Sequence, residues 1–358
     1  MVITKTKEEQ YLLALVDCAL NSKNAPYPTD VDMGALLKLA DKQQVYSLVL
    51  PVLSEGRFLS EAELRAWKNH QLSDLQKTIM VDNERNMLCS ELDEHGINYM
   101  FLKGLVVRAY YPKTSMRQMG DNDILYDESR RDDLLKIMKK HGFHLDAVSE
   151  SSDDFIKYPV TMEFHRKLFN PDPYFSFPLN VWERASRFDN SHRWLINKED
   201  NYLYSLAHSY KHYLYGGCTL RVLCDDFVLR KNVEYDTNYI NTALKELNLE
   251  DFHSAVTGLC DCLFEGKDAN AAEQKLLNVI FGREVIIREH ESFRPDMKEG
   301  KLRYFVKRIF PGKQFMIWSF PVLEKRPYLL PFYYIKRLLL RAKYGRKNIE
   351  KEITKLKK

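Results

Sequence analysis

Several things are missing from this 358-residue sequence, and each absence narrows what it is. No apolar run approaches the length of a membrane span, so no transmembrane segment is expected. Met1-Val2-Ile3-Thr4-Lys5 opens into charge without a basic stretch followed by an apolar one, so no signal peptide is expected. The six cysteines form no CxxC pair and are thinly spread, which predicts reduced, mostly buried thiols rather than a disulfide framework or a zinc ribbon. Together these place the chain in the cytoplasm as an expectation. There is no internal repeat and no low-complexity tract. Net charge is only +4, and Lys336 to Lys358 carries ten Lys or Arg against two Glu, so the rest is mildly acidic. A basic tail on an acidic body is not the footprint of a globally basic nucleic-acid binder, and nucleic acid is not the favoured partner. The aromatic and basic tail from Phe332 could touch an anionic surface, but a packed helix with a solvated end is the simpler reading.

What is present is an ordinary globular composition, 45% hydrophobic and 29% charged, long enough for one large core or two to three smaller ones. Residues 7 to 95 look all-helical. Glu8 to Leu20 forms one helix, and a second starts near Thr29-Asp30 and buries Leu36, Leu37 and Leu39. Ser60 and Glu63 make a capping box for a helix reaching His95. That is long for a globular helix, so a kink or break is expected within it. Ile97 to Leu102 is apolar and bounded by glycines and reads as a buried strand that ends at Lys103-Gly104, with helical spacing from Leu105 to Tyr111. Pro112 to Gly120 is a loop holding Arg117, and Asp121-Asn122-Asp123-Ile124-Leu125-Tyr126 is a second strand. A helix carrying Leu134, Leu135 and Met138 follows, then a short strand from Phe143 and a polar loop from Ser149 to Asp154. Pro159 to Leu168 alternates, with Val160, Met162 and Phe164 on one face and Thr161, Glu163 and His165 on the other. From Asn197 the pattern is helical again, including Tyr202 to Tyr215 (stopped by Gly216-Gly217) and Leu220 to Leu229.

Asp121 and Asp123 share a face if extended, and their mutual repulsion calls for a cation between them. Paired hard oxygens suit Mg²⁺, which also takes oxygens from phosphates. Alone the Asp-x-Asp could be a turn. Lys103, Gly104 and Arg117 add a cation, backbone N–H donors and a guanidinium for an anion, and Glu163 adds a third carboxylate. His165 is on Glu163's side of its strand, as an orienting group or a satisfied polar neighbour. His208 and His212 share a helix face; the spacing permits zinc, but no third ligand is evident, so a structural or hydrogen-bonding role is preferred, with substrate contact as the other alternative. Arg221 and Asp225 are i, i+4 and are expected to pair.

The sequence Leu-Lys-Gly, then Arg-x-x-Gly-Asp-x-Asp-Ile-Leu, then Glu-Phe-His resembles the nucleotidyltransferases of the DNA polymerase β superfamily. It most resembles a poorly characterised bacterial family of them, over most of residues 30 to 340, including the His208/His212 and Leu220 to Asp225 stretches. The resemblance implies an α+β fold: a small mixed sheet with helices at 93–190, between a helical N-terminal region at 1–92 and a helical C-terminal region with a basic tail at 191–358. It implies that Asp121 and Asp123 bind Mg²⁺ (or Mn²⁺) and that Glu163 completes a metal site or deprotonates the acceptor. A nucleoside triphosphate would be the substrate, its NMP passing to an unidentified small molecule, protein or RNA end. The phosphates would be gripped by Lys103 and Arg117. One departure is Leu105, where better-studied members have a serine whose hydroxyl contacts a phosphate. A non-catalytic nucleotide sensor or scaffold that keeps the fold is the alternative.

Overall fold

The computed structural model describes residues 3–119, 122–170, 177–215, 217–283, 316 and 322–336. Gly120, Asp121, Gly216 and the tail from residue 337, which includes most of the expected basic helix, lie outside the described residues. Among the described residues no helix is long and apolar enough to cross a membrane, and the six cysteines are free thiols.

The N-terminal helices are α1 (Lys7–Asn21), α2 (Met33–Lys42), α3 (Tyr46–Gly56) and α4 (Glu61–Glu94). Each of α1, α2 and α4 starts where a side chain accepts from an otherwise orphaned backbone N–H: Thr6, Asp32 and Ser60. At α4 the reciprocal bond from Glu63 completes the capping box. α4 corrects one expectation, because it runs for 34 residues without a break. Nothing within it forces a kink: there is no proline and no glycine between Glu61 and Glu94. Its length is used to join two cores. Trp67 is buried in the large helical core with α1, α2 and α3, whereas Val81, Leu88, Cys89 and Leu92 are buried against the sheet. Between these ends Leu72, Leu75, Ile79 and Met80 are exposed.

A single mixed sheet follows, in the order β3-β4-β5-β2-β1-β7-β6. Its strands are β1 (Tyr99–Phe101), β2 (Asp123–Tyr126), β3 (His144–Val148), β4 (Ser152–Lys157), β5 (Val160–His165), β6 (Ser186–Arg187) and β7 (Arg193–Leu195). β2 and β5 are parallel neighbours, as are β1 and β7; the other pairs are antiparallel. Between β1 and β2 lies α5 (Gly104–Val107), and between β2 and β3 lies α6 (Arg131–Lys140). The expected polar loop at Ser149 to Asp154 is partly strand, since β4 begins at Ser152. Its polarity has a structural cause: Asp153 is fully buried between the Arg131 and Arg166 guanidiniums.

One face of the sheet packs Tyr99, Ile124, Tyr126, Met162 and Phe164 against α4 and α6. On the other, Met100, Leu102 and Leu125 meet Tyr204 of α7 (Lys198–Leu214). The chain continues through α8 (Leu220–Asn232), α9 (Thr237–Glu246), α10 (Glu250–Phe264) and α11 (Ala271–Ile280). Buried residues of α8 to α11 join α1 and α3 in the helical core. The architecture is α+β, with helices on both sides of the sheet.

This division of α4 has a measurable consequence. Leu88→Ala should cost about 2–5 kcal/mol in denaturant unfolding. Leu72→Ala on the same helix should stay within about 0.5 kcal/mol of wild type. Equal losses at the two positions would contradict the placement of α4.

Candidate active site

The site forms where two parallel strands bring their acidic residues side by side. Asp123 on β2 is the register partner of Glu163 on β5, and Leu125 that of His165. Alternation puts Asp123, Glu163 and His165 on the face turned away from α4 and α6. Backbone bonds fix this pairing: Glu163 N–H donates to the Asn122 carbonyl at 3.0 Å, and Leu102 N–H to the Asp123 carbonyl at 3.1 Å. Asp154 on β4 is the register partner of Glu163, so a third acidic residue lines up with Asp123 and Glu163 across the strands.

The side chains converge. His165 Nε2 is 2.9 Å from Asp123 Oδ1 and 3.4 Å from Glu163 Oε1. Donor atoms of Asp123, Glu163 and His165 all lie within 4.8 Å of one another. Exposure is graded: the Asp123 side chain is 7% exposed, His165 4% and Glu163 27%. Glu163 therefore meets solvent while the other two stand behind it. Lys103 closes the cluster, its Nζ 2.6 Å from Asp123 Oδ1. Burial alone would raise the Asp123 pKa, but Lys103 and His165 outweigh it and hold the carboxylate ionised, far below the usual range. Burial works against the Lys103 ammonium in the same way. Tyr204, Asp123 and Glu163 around it more than compensate and keep it charged.

Lys103 reaches this position from a backbone few non-glycine residues adopt, with φ +49° and ψ −124°. Such a conformation costs on the order of 1–3 kcal/mol and persists only where its surroundings impose it. Here Val106 and Val107 N–H both donate to the Lys103 carbonyl, and Leu102 and Leu105 are buried on either side. The turn aims the ammonium at Asp123. A second support comes from α4. Buried Arg85 donates from Nη1 to Asn122 Oδ1 at 3.1 Å and also pairs with Asp82. Asn122 is thus held from the far side of the sheet, and Asp123 next to it is held with it.

Arg117 requires a correction. It was expected on the rim as a phosphate ligand, but it is buried, with Nε and Nη2 donating to Asp225 of α8 at 2.8 and 2.7 Å. Asp225 also accepts from the Tyr111 hydroxyl at 2.7 Å. Asp225 is therefore engaged by Arg117, not simply by its helical neighbour Arg221, which donates to the Gln118 carbonyl at 3.4 Å. The guanidinium also packs onto the Gly104 backbone, where any Cβ would collide with it. That close approach accounts for the glycine at the strand-to-helix turn. Asp121 falls outside the described residues. His208 and His212 lie on α7, within electrostatic reach of Lys103 and Asp123, a position the i, i+4 spacing alone did not reveal.

Two carboxylates and an imidazole so close together suit a divalent cation, with oxygen donors for Mg²⁺ or Mn²⁺ and a nitrogen donor that Mn²⁺ accepts more readily. The Lys103 ammonium already supplies positive charge to the same carboxylate, so a metal would compete with it there.

The Arg117–Asp225 pair should behave as a buried structural bridge. Arg117→Met and Asp225→Asn should each lose about 3–5 kcal/mol of unfolding free energy, because each leaves a buried charge unpaired. The double variant should lose less than the sum, with coupling of about 0.5–3 kcal/mol. Strict additivity in a thermodynamic cycle would show that the pair does not carry the stability.

No curated protein and no solved structure matches the chain. A family model described as uncharacterised nucleotidyltransferase matches residues 29–265. That span takes in α2 through α10 and with them the whole sheet, Lys103, Asp123, Glu163 and His165. The chain belongs to this family of uncharacterised nucleotidyltransferases.

Proposed function

We propose that the protein transfers a nucleoside monophosphate from a nucleoside triphosphate to an acceptor hydroxyl or similar nucleophile, and that the sheet with its helices is a polymerase β-like core. The observation that carries this reading is the register of β2 and β5, which sets Asp123 beside Glu163 within reach of Lys103 and His165. Asp123, with Asp121 two residues before it, would hold divalent cations (Mg²⁺ or Mn²⁺). When bound, such ions offset the charge of the phosphates and lower the pKa of a coordinated hydroxyl.

The chain's own groups have distinct tasks in this reading. Glu163 is the carboxylate most open to solvent, so it is placed to meet an incoming acceptor and take its proton. The acceptor oxygen then forms its bond to the α-phosphorus as the bond to the pyrophosphate oxygen breaks in line with it. His165, behind both carboxylates, orients them through Nε2. Lys103 neutralises Asp123 in the resting protein and can turn its ammonium to a phosphate oxygen when a cation takes over that role. The acceptor is a small molecule, a protein or an RNA end.

Transfer is tested by incubating the protein with α-labelled NTPs, Mg²⁺ or Mn²⁺ and a cell extract. Wild type should label an extract component. Glu163→Gln should keep nucleotide binding and lose about 10²–10⁴ in rate, as for a general base. Asp123→Asn should lose both metal-dependent binding and transfer. Equal labelling by wild type and both variants would reject the enzyme. Absence of labelling together with normal NTP binding would instead indicate a sensor that kept the fold.

The metal can be followed without turnover. Mn²⁺ or Mg²⁺ should raise the melting temperature of wild type by linkage, and Asp123→Asn should abolish the rise. Lys103→Met leaves Asp123 buried without its cation, so it should melt lower in EDTA and gain more from Mn²⁺ than wild type does. Identical metal responses in all three proteins would rule out these residues as the metal site.

A further inference from the structure

The site as described has few donors for a triphosphate. Arg117 is committed to Asp225, and Leu105 presents a buried apolar side chain at the turn after Lys103. We infer that the side of α7 that carries His208 and His212 binds the polyphosphate of the nucleotide, the part that leaves as pyrophosphate. The inference rests on the transferase reading and adds a subsite to it.

The geometry starts from Tyr204, His208 and His212, which recur every four residues and so lie along one side of α7. Tyr204 anchors the row: it is fully buried against Met100, Leu102 and Leu125 of β1, its flank and β2. The helix then carries His208 and His212 past the end of β1, where Lys103 stands. Ring centroids step along this row, 6.2 Å from Tyr204 to His208 and 4.5 Å from His208 to His212. Phe169 backs it, 5.3 Å from Tyr204 and 6.4 Å from His208. The loop after α7 comes close too: Gly217 N–H donates to the His212 carbonyl at 2.8 Å, and a Cβ on Gly217 would sit 3.1 Å from His212 Nδ1. The His212 ring is therefore confined, yet it remains open to solvent.

The surroundings favour an anion. Lys103 and Lys211 act on both histidines, and Arg221 acts on His212, while Asp123 opposes them. Desolvation by the protein around them and these cations lower the pKa of His208 well below its ordinary value and that of His212 in the same direction. Both imidazoles are thus neutral at pH 7, each with an N–H to donate. Neither ring has a hydrogen-bond partner among the described residues. The Tyr204 hydroxyl, fully buried beside Lys103, also lacks a hydrogen bond of good geometry there, although Lys103 is a close electrostatic neighbour. A chain of phosphates between the carboxylate-bound cation and α7 would take the imidazole N–H groups at one end and the metal at the other. The edge-on packing of His208 against His212 presents ring edges, which suits N–H donation better than stacking on a base. Among the described residues no third side chain joins the pair as a metal-ligand group.

Isothermal titration with inorganic pyrophosphate in the presence of Mn²⁺, paired with the Mn²⁺ thermal shift, tests the inference. His208→Phe and His212→Phe keep a ring and remove the donor. Each should weaken pyrophosphate binding by about tenfold or more and leave the Mn²⁺ shift unchanged. His212→Gln, which retains an N–H at a solvent-accessible position, should recover part of the loss. Wild-type pyrophosphate affinity in both Phe variants would overturn the inference and leave the transferase reading standing. Loss of the Mn²⁺ shift along with pyrophosphate binding would make the histidines part of the metal site and also overturn it. A wild type that answers to neither Mn²⁺ nor pyrophosphate would remove the transferase reading, and the inference would fall with it.

Discussion

The buried charge of Asp123 is the constraint on which the site depends. A carboxylate this enclosed is stable only if cations and donors reach it, since an isolated buried charge costs several kcal/mol or neutralises itself. Lys103 and His165 supply that compensation from two different strand ends. Much of the local architecture follows. Lys103 accepts an unfavourable backbone conformation to reach Asp123. Gly104 must lack a side chain so that Arg117 can pass behind the turn to Asp225. Arg85 crosses from α4 to hold Asn122. The helical regions are thereby tied to the reaction centre: α4 from one side of the sheet, α7 and α8 from the other.

These ties also explain why the charge is arranged in layers. Asp123, His165 and Lys103 form an inner set in which the Lys103 ammonium and the His165 Nε2 both meet the Asp123 carboxylate. Asp153 with Arg131 and Arg166 forms a separate pair system that serves packing of β4 and α6. Arg117 with Asp225 and Tyr111 forms a third, joining the β1–β2 connection to α8. Of the two carboxylates at the centre of the described cluster, Glu163 is the more open to solvent, and Lys103 is partly exposed beside it. On the proposed reading, the more accessible carboxylate is the one free to meet an outside nucleophile, and the enclosed groups would hold it in place.

What could be read from the chain depended on whether the information was local. Period-two alternation in Val160 to His165 was strong enough to assign both faces of β5, and the structure keeps that assignment. Lys103-Gly104 at a strand end and Ser60/Glu63 at a helix start were legible for the same reason. β4 was not, because its buried Asp153 is polar in sequence and apolar in consequence: its charge is cancelled by arginines from α6 and the end of β5. β6 and β7 are too short to show a period. Arg117 was misassigned because its partner lies 108 residues away, beyond any local pattern, while the nearer candidate for Asp225 was Arg221 one helical turn earlier.

The same distinction bears on α7. A pair of histidines at i, i+4 reads in sequence as a metal half-site, a packing or hydrogen-bonding feature, or a substrate contact. Its meaning changes once the sheet places Tyr204 under β1 and β2, because helix geometry then decides where the next two turns must go. They pass beside Lys103, next to the carboxylates of strands far earlier in the chain. The sheet supplies the carboxylates, and a helix that follows it in sequence brings two imidazoles near the same lysine. These groups are far apart in the chain, and only the folded arrangement brings them together.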